Sequence, residues 1–312
     1  MTTYISGSLA YDRIMSFDGY FKEQILDEHL DNINVSFTVS SAQEFFGGTA
    51  GNIAYGMTVM GRRPVILGNL GLDGGRYLQY LRDLGVDTAH VGQVEEEFSP
   101  GAYITTDLAG NQITVFNAGA MKFPNRWRGE GMDPDNSMVI ISPGNLRDMM
   151  ELPPLLRRRG TPFIFDPGQS LPSWQSRDLA SALQGAHALI CNQYELNLML
   201  KLMNMSLEEV RRQAGSLIVT NGEHGSRLYT RDQIWHIGIP ASSPRPLDPT
   251  GAGDAYRAGL LAALNDGRDM VEACAYGSAL AAVSVGFKGT QGYGLPPGGL
   301  KAGVAPVERA WN

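Results

Sequence analysis

A glycine-rich turn that ends in an acidic residue is the segment most suited to chemistry. The sequence DPTGAGD occupies positions 248–254, and residues 255–264 have the composition of an apolar helix. Glycines just before a helix let backbone N–H groups converge on an anion, and the positive end of the helix dipole adds to the attraction. The segment therefore predicts a phosphate-binding turn beside the carboxylate of Asp254. A glycine turn that only caps a buried helix would give the same pattern.

Two common nucleotide-binding motifs describe this turn poorly. The dinucleotide motif GxGxxG fails because Tyr256 stands where its last glycine belongs. The P-loop motif, GxxxxGK followed by Ser or Thr, does not occur in the sequence. Both interpretations are therefore weak.

Length and composition limit the class of protein. With 312 residues, 38 of them glycine, the chain has room for one large α/β body with a small appendage and for many tight turns. A net charge of −7 and a longest basic run at 157–159 argue against nucleic-acid binding. Cys191 and Cys274 form neither a disulfide framework nor a zinc motif. Because the sequence has neither a secretory signal nor a membrane-spanning pattern, we expect a cytoplasmic protein with no membrane partner.

Four short apolar segments predict a parallel sheet. They lie at 139–141, 163–165, 188–190 and 217–219, are separated by helix-sized stretches, and are each followed by polar residues. Strands that are apolar on both faces belong to parallel sheets covered by helices, and ligands bind at the carboxyl ends of such strands. The sequence therefore predicts one α/β domain over residues 1–312, with a central, mostly parallel sheet flanked by helices.

Segments that alternate apolar and polar residues predict a second, smaller sheet. Residues 35–40 alternate with a period of two, and so do 102–106 and 113–116, which flank a turn and should form a hairpin. We expect a small β-sheet lid, built from segments near 13–45 and 97–120, over the ligand edge. Because a sheet of few strands leaves one face uncovered, we also expect it to pair with the lid of a second copy, giving a homodimer.

Three ordered motifs resemble the ribokinase-like (PfkB) family of carbohydrate kinases. They are GGTAGN at 47–52, NQYE at 192–195 and DPTGAGD at 248–254, which departs from the family's DTxGAGD only at Pro249. The resemblance extends over nearly the whole chain. It implies a ribokinase-like fold, a small-molecule nucleoside or sugar as the acceptor, and ATP as the phosphate donor.

The resemblance also implies the catalytic residues. Asp254 would be the general base toward the acceptor hydroxyl. The backbone N–H groups of Gly251, Ala252 and Gly253 would hold the negative charge of the transferring phosphoryl group. This division suits phosphoryl transfer, in which positioning and charge stabilisation matter more than early deprotonation.

By the same resemblance, another set of residues would bind ATP and its metal ion. The ATP-binding residues would be Asn192, Thr220, Gly222, Gly225 and Gly289. Glu195 would order Mg²⁺ through water, because Mg²⁺ prefers oxygen ligands and retains waters. Carbonyl groups near Asp248 and Gly289 would enclose a monovalent cation such as K⁺. The alternatives are a helix N-cap with a first-turn glutamate at 192–195 and a plain hairpin turn at 220–225.

Within the family, the sequence most resembles bacterial adenosine kinases that are built like ribokinase. The similar stretches are 7–13, 21–26, 35–37, 47–52, 116–121 and 166–171, with Ser170 as a departure from the usual glutamine. By this resemblance Asp12, Gly48 and Asn52 would bind the ribose hydroxyls. Ser8, Ser36 and Gln169 would lie toward the base.

Two aromatic residues stand on otherwise polar faces of the predicted hairpin. Phe116 shares parity with Thr114, and Tyr103 shares parity with Thr105. Such rings stack on a purine or pack as ordinary core aromatics of a small sheet. A simple sugar would need neither ring.

The predicted function is transfer of the ATP γ-phosphate to the 5′-hydroxyl of adenosine, giving AMP and ADP. A sugar kinase of the ribokinase or fructokinase type is the alternative, because the catalytic machinery would be the same. A non-catalytic nucleoside- or sugar-binding sensor is a second alternative, and it is disfavoured because a sensor would not need Asp254 beside the glycine turn.

Overall fold

A large sheet and a small sheet form the framework of the computed structural model. The structure describes residues 1–25, 34–241, 243–296, 299–300 and 305–310. Leu26 and the other residues of the predicted lid segment up to position 33 lie outside the described residues.

The strands and helices alternate along most of the chain. The strands are β1 (Thr2–Ser6), β2 (Ala10–Ser16), β3 (Ser41–Gly47), β4 (Val65–Gly71), β5 (Val91–Val94), β6 (Gly101–Thr106), β7 (Gln112–Asn117), β8 (Ser137–Ile141), β9 (Phe163–Phe165), β10 (Ala188–Asn192), β11 (Leu217–Thr220), β12 (Ser226–Tyr229), β13 (Ile234–Ile237) and β14 (Val307–Ala310). The α-helices are α1 (Phe21–Gln24), α2 (Thr49–Val59), α3 (Gly75–Asp83), α4 (Leu146–Arg159), α5 (Ser176–Leu183), α6 (Gln193–Met203), α7 (Leu207–Gln213), α8 (Ala252–Asn265) and α9 (Met270–Ser284). None of the helices in the described part of the chain is long and apolar enough to cross a bilayer.

The large sheet has ten strands in the order β14-β13-β12-β11-β10-β9-β8-β1-β4-β5. From β11 to β5 all neighbouring strands are parallel. At the other edge β12, β13 and β14 are antiparallel. The four predicted apolar segments lie in β8 to β11, so the prediction of a mostly parallel sheet is confirmed.

Helices cover both faces of the large sheet. Successive residues of its central strands point to opposite sides and are apolar, so both faces have to be buried. One apolar cluster contains the strand residues Ile140, Ile164, Ile190 and Ile218 together with residues of α2, α3, α8 and α9. The other contains Val139, Phe163, Leu189 and Leu217 together with residues of α4 to α7. With both faces buried, polar chemistry is confined to the loops at the strand ends.

The small sheet has four strands in the order β3-β2-β6-β7. The hairpin of β6 and β7 is antiparallel, as predicted, and β2 runs parallel to β6. The prediction of a strand at 35–40 is wrong. Residues 34–39 have no strand assignment, and the strand that pairs with β2 is β3, which begins at Ser41.

The misplaced strand has a physical explanation in aromatic packing. Phe37 contacts the rings of Phe17 and Phe21, each with a centroid distance of 5.1 Å. Residues 35–39 therefore alternate between half-buried and exposed side chains without strand pairing, and Ser40 is the first residue after them whose N–H donates to β2, at the carbonyl oxygen of Ser16. The alternation predicted the burial pattern correctly but not the hydrogen-bonded neighbour.

Gly48 connects the small sheet to the large body. It lies between β3 and α2 with φ of +85° and ψ of 146°, a conformation that is essentially restricted to glycine. A Cβ atom at Gly48 would lie 2.6 Å from the carbonyl oxygen of Ser8 and 2.7 Å from the backbone nitrogen of Ala10. The chain can therefore pass this close to the loop after β1 only with glycine at position 48.

We expect Gly48→Ala to lower the free energy of unfolding by about 2–4 kcal/mol, through backbone strain and contact with a neighbouring backbone. Gly75→Ala is the matched control, because Gly75 begins α3 and a Cβ there would meet no atom within 4 Å. Urea denaturation of both variants tests the expectation. Equal stability of the two variants would contradict it.

Candidate active site

A cavity of about 200 Å³ opens where three parallel strands end. Its walls come from the ends of β9, β10 and β11 and from the first turn of α8. The lining residues are Thr49, Pro143, Asp166, Gly168, Gln169, Asn192, Glu195, Thr220, Gly251, Gly253, Asp254 and Arg257. The structure thus brings most of the predicted phosphate-side residues, and Gln169, to one place.

The glycine turn forms the start of α8 as predicted. Gly251 is the N-cap residue with φ of +77°, and a Cβ atom there would lie 2.7 Å from the side chain of Thr290. Helix α8 begins at Ala252, whose N–H donates to the carbonyl oxygen of Pro249 at 3.2 Å, whereas the next N–H groups, of Gly253 and Asp254, have no carbonyl partner within the helix. Together with the helix dipole, these groups can attract an anion at the cavity.

A chain of hydrogen bonds holds Asp254 from the side of α2. Asn52 donates from Nδ2 to Oδ2 of Asp254 at 2.8 Å, and its Oδ1 accepts from Nε2 of Gln291 at 2.9 Å. The same Gln291 amide donates to the hydroxyl of Tyr77 at 2.8 Å, which in turn donates to the carbonyl oxygen of Gly47 at 2.8 Å. The chain fixes the carboxylate and ties it to the end of β3.

Burial raises the pKa of Asp254 to about 6, well above the usual value for an aspartate. Arg257 and the hydrogen bond from Asn52 oppose the rise, whereas the charges of Asp166 and Asp12 add to it. A carboxylate with this pKa is mostly ionised at neutral pH and can accept a proton.

Two residues that sequence reasoning did not assign, Arg257 and Asp166, form a buried ion pair at the cavity. Arg257 donates from Nε to Oδ2 and from an Nη atom to Oδ1 of Asp166, both at 2.6 Å. Its other Nη atom donates to the carbonyl oxygen of Gly253 at 2.9 Å. The side chains are 8% and 2% exposed. The signal for Arg257 was a charged residue one turn after Asp254 in an otherwise apolar helix.

Asn192 and Glu195 form a capping box at the start of α6. The Oδ1 atom of Asn192 accepts from the N–H of Glu195, and Oε2 of Glu195 accepts from the N–H of Asn192, both at 2.8 Å. The N-cap alternative therefore describes their local geometry, and both side chains also line the cavity. Burial raises the pKa of Glu195, and the hydrogen bond from Asn192 opposes that rise.

The other residues predicted to bind ATP lie in turns near the cavity. Thr220 ends β11 and lines the cavity, while Gly222 and Gly225 form the turn into the antiparallel strand β12. The hairpin alternative is therefore observed here. Gly289 donates its N–H to Oδ2 of Asp248 at 2.9 Å, which joins the late loop to the glycine turn.

The register of the small sheet places Asp12 and Phe116 on the same face. Asp12 pairs with Ala102 on β6, and Ala102 pairs with Phe116 on β7. Two strand spacings separate the two residues, a distance of about 10 Å. The Phe116 side chain is 54% exposed, and burial raises the pKa of Asp12, whose charge also acts on Asp254. This face therefore offers a carboxylate that acts on Asp254 and, two strands away from it, an exposed ring.

Three other residues predicted to bind substrate differ in their surroundings. Tyr103 pairs with Arg13 and Val115, so it lies on the opposite face from Asp12, and its hydroxyl accepts from Arg13 at 2.9 Å. The hydroxyl of Ser8 accepts from the N–H of Thr49 at 3.0 Å, at the start of α2. Ser36 is exposed in a segment without strand pairing. Register therefore separates Tyr103 from the face of Phe116, whereas the hydroxyl of Ser8 lies beside that of Thr49, which lines the cavity.

A family model, a related sequence and a solved structure all match most of this chain. The family model for the pfkB family carbohydrate kinases matches residues 11–296. The nucleoside kinase of Methanocaldococcus jannaschii is 34% identical over 83% of this chain and 85% of its own length. The structure of Burkholderia thailandensis nucleoside kinase in complex with inosine superimposes with a TM-score of 0.82 at 36% identity, over 96% of this chain and 95% of that one.

The structure of the Burkholderia enzyme in complex with ADP-inosine is similar to the same degree, with a TM-score of 0.79 and 38% identity over 94% of this chain and 91% of that one. Sequence, family model and fold agree over nearly the whole length of the chain. This protein therefore belongs to the pfkB family of carbohydrate kinases and has the ribokinase-like fold.

Proposed function

We propose that this kinase transfers the γ-phosphate of ATP to the 5′-hydroxyl of a purine nucleoside, with adenosine as the first acceptor to test and inosine beside it. The observation that carries the proposal is the shared face of Asp12 and Phe116. Their separation of about 10 Å lets a carboxylate accept hydrogen bonds from ribose hydroxyls while the exposed ring stacks on the base. The inosine complex of the similar Burkholderia enzyme supports a purine base.

In this proposal Asp254 accepts the proton of the acceptor hydroxyl late in the transfer. The hydrogen bond from Asn52 directs its carboxylate, and the N–H groups at the start of α8 stabilise the charge on the phosphoryl oxygens. Because the transition state is loose, holding the attacking 5′-oxygen and the leaving oxygen of ADP in line contributes more to the rate than a strong base would.

ATP would lie along the rim formed by Asn192, Thr220, Gly222, Gly225 and Gly289. The oxygen atoms of Asn192 and Glu195 suit a Mg²⁺ ion that keeps its waters and neutralises phosphate charge, which is the chemistry such an ion supplies when bound. Carbonyl oxygens near Asp248 and Gly289, which the hydrogen bond between these two residues holds together, are the corresponding place for a monovalent cation. The ADP-inosine complex of the Burkholderia enzyme supports a nucleotide donor on the same fold.

We expect Asp254→Asn to lower kcat by about 100-fold or more, because the variant keeps the shape of the side chain and loses the proton acceptor. Calorimetric titration should show nearly unchanged ATP binding. Asp266→Asn, at the C-terminal end of the same helix, is the control and should keep its rate. A turnover of Asp254→Asn within threefold of the parent would rule out the base.

We expect Phe116→Ala to reduce kcat/KM for adenosine by about 5- to 150-fold, because base stacking contributes about 1–3 kcal/mol and 1.4 kcal/mol corresponds to a factor of ten. Any activity on free ribose should barely change. Leu108→Ala is the matched control, since Leu108 is 61% exposed in the turn between β6 and β7 and belongs to neither face of the paired strands.

The acceptor panel separates the alternatives. A higher specificity constant for ribose or fructose, or an equal loss on sugar and nucleoside in Phe116→Ala, would replace the nucleoside proposal with a sugar kinase. Binding of nucleoside without ADP release from MgATP would identify a sensor instead.

We further propose that the small sheet closes over the substrate as a lid and pairs with its counterpart in a homodimer. On β7, Ile113 and Val115 lie on the face away from Asp12, with 37% and 62% of their surfaces exposed. Two exposed apolar side chains on a four-stranded sheet suit burial against a second copy.

Sedimentation at micromolar concentration should give about twice the chain mass of 33.8 kDa. Val115→Asp should shift the distribution toward the monomer, because an interface would have to bury the new charge. A parent protein that is monomeric and fully active would contradict the dimer.

A further inference from the structure

The ion pair of Arg257 and Asp166 stands at the place where the proposed chemistry occurs. Arg257 lies three residues after Asp254 on α8, so the two side chains are neighbours on the helix surface. Asp166 immediately follows β9 and holds the guanidinium group in a two-pronged contact. The third donor of Arg257 fixes the Gly253 carbonyl, which belongs to the glycine turn.

Stability alone gives little reason for this pair. Removing two charged groups from water costs several kcal/mol for each ion, and apolar residues of similar volume often stabilise a buried position as well or better. Both members of the pair are buried. The role of the pair therefore lies in its effect on neighbouring groups, the glycine turn and Asp254.

The surroundings of Asp254 are strongly acidic. Carboxylates face it from β2 (Asp12) and from the end of β9 (Asp166), and Glu195 on α6 interacts with the ion pair. The neutral groups around it are the Asn52 amide from α2 and the Tyr293 phenol from the segment after α9. Among the described residues that line the cavity, Arg257 is the one basic side chain.

We propose that Arg257 is a positioning residue for the general base: anchored by Asp166, it holds the glycine turn through the Gly253 carbonyl and places a positive charge among the carboxylates around Asp254. This inference rests on the proposed function, in which Asp254 is the base. Asp166 acts in the opposite direction on Asp254, because its own negative charge disfavours a second one nearby.

The test is the pH dependence of kcat/KM for the nucleoside at saturating MgATP. The acid limb of this profile, the fall in rate toward low pH, reports the ionisation of the base in the enzyme form that binds the nucleoside, here the MgATP complex. The parent should show a limb near pH 6, where burial places the pKa of Asp254. Arg257→Gln should raise the limb by about one pH unit or more, and Asp166→Asn should lower it. The double variant should fall between the two.

Two further variants separate positioning from a structural role. Arg257→Lys keeps the charge and loses the two-pronged contact, so its limb should stay close to that of the parent even where its rate is lower. Arg147→Gln removes an exposed arginine paired with Glu151 and should leave the limb unchanged. Thermal unfolding identifies variants that are folded. Where Arg257→Gln does not fold, the double variant is compared with Asp166→Asn: its limb should lie above that of Asp166→Asn, and coincident limbs would overturn the inference.

Limbs that coincide in the parent, Arg257→Gln and Asp166→Asn, or that move in the same direction in both variants, would overturn the inference. The Asp254→Asn variant distinguishes that failure from a failure of the proposed function. If kcat of Asp254→Asn is greatly reduced while the limbs coincide, Asp254 is the base but Arg257 does not act as its positioning residue. If Asp254→Asn keeps its rate, the base itself is wrong.

Discussion

Close packing of α2 against α8 is the constraint on which the candidate site depends. A Cβ atom at Gly56 of α2 would lie 2.5 Å from the Cβ atom of Ala258 on α8, so the two helices approach more closely there than most side chains allow. Their N-termini meet at the same edge of the large sheet, where Asn52 donates to Asp254. The absence of a side chain at Gly56 therefore matters at the cavity. It lets α2 lie close enough to α8 for Asn52, one turn earlier on α2, to hydrogen-bond Asp254.

The same contact connects the small sheet to the site. Tyr77, Gln291 and Asn52 join the carbonyl of Gly47, at the end of β3, to the carboxylate of Asp254. Asp12 lies directly against Gly47, where a Cβ atom would stand 2.5 Å from its Oδ2 atom. The groups proposed to hold the ribose and the group proposed to accept its proton are thus positioned by one continuous network rather than by separate loops.

Local patterns in the sequence predicted the parts of the structure that local physics determines. The glycine turn before α8, the apolar strands β8 to β11 and the hairpin of β6 and β7 each follow from neighbouring residues. The segment 35–40 shows where such reasoning stops, because alternation reports which side chains are buried and not which strand lies beside them. The faces of Phe116 and Tyr103 likewise depend on register across three strands.

Long-range pairs were beyond prediction for a related reason. Arg257 and Asp166 are separated by 91 positions, and Gln291 and Asn52 by 239, so no spacing in the sequence links them. The order of strands in the sheet brings these residues together. The pairing of Arg257, in an apolar helix, with Asp166 at the end of β9 is visible only in the folded chain.

We propose that this site transfers phosphate to a nucleoside. Incubation of the enzyme with MgATP and equimolar adenosine and ribose, followed by ³¹P NMR of the products, tests it most directly. The account predicts that nearly all transferred phosphate appears on the 5′-oxygen of the nucleoside, with ADP formed in equal amount. Phosphate found mainly on ribose, or released only as inorganic phosphate, would contradict it.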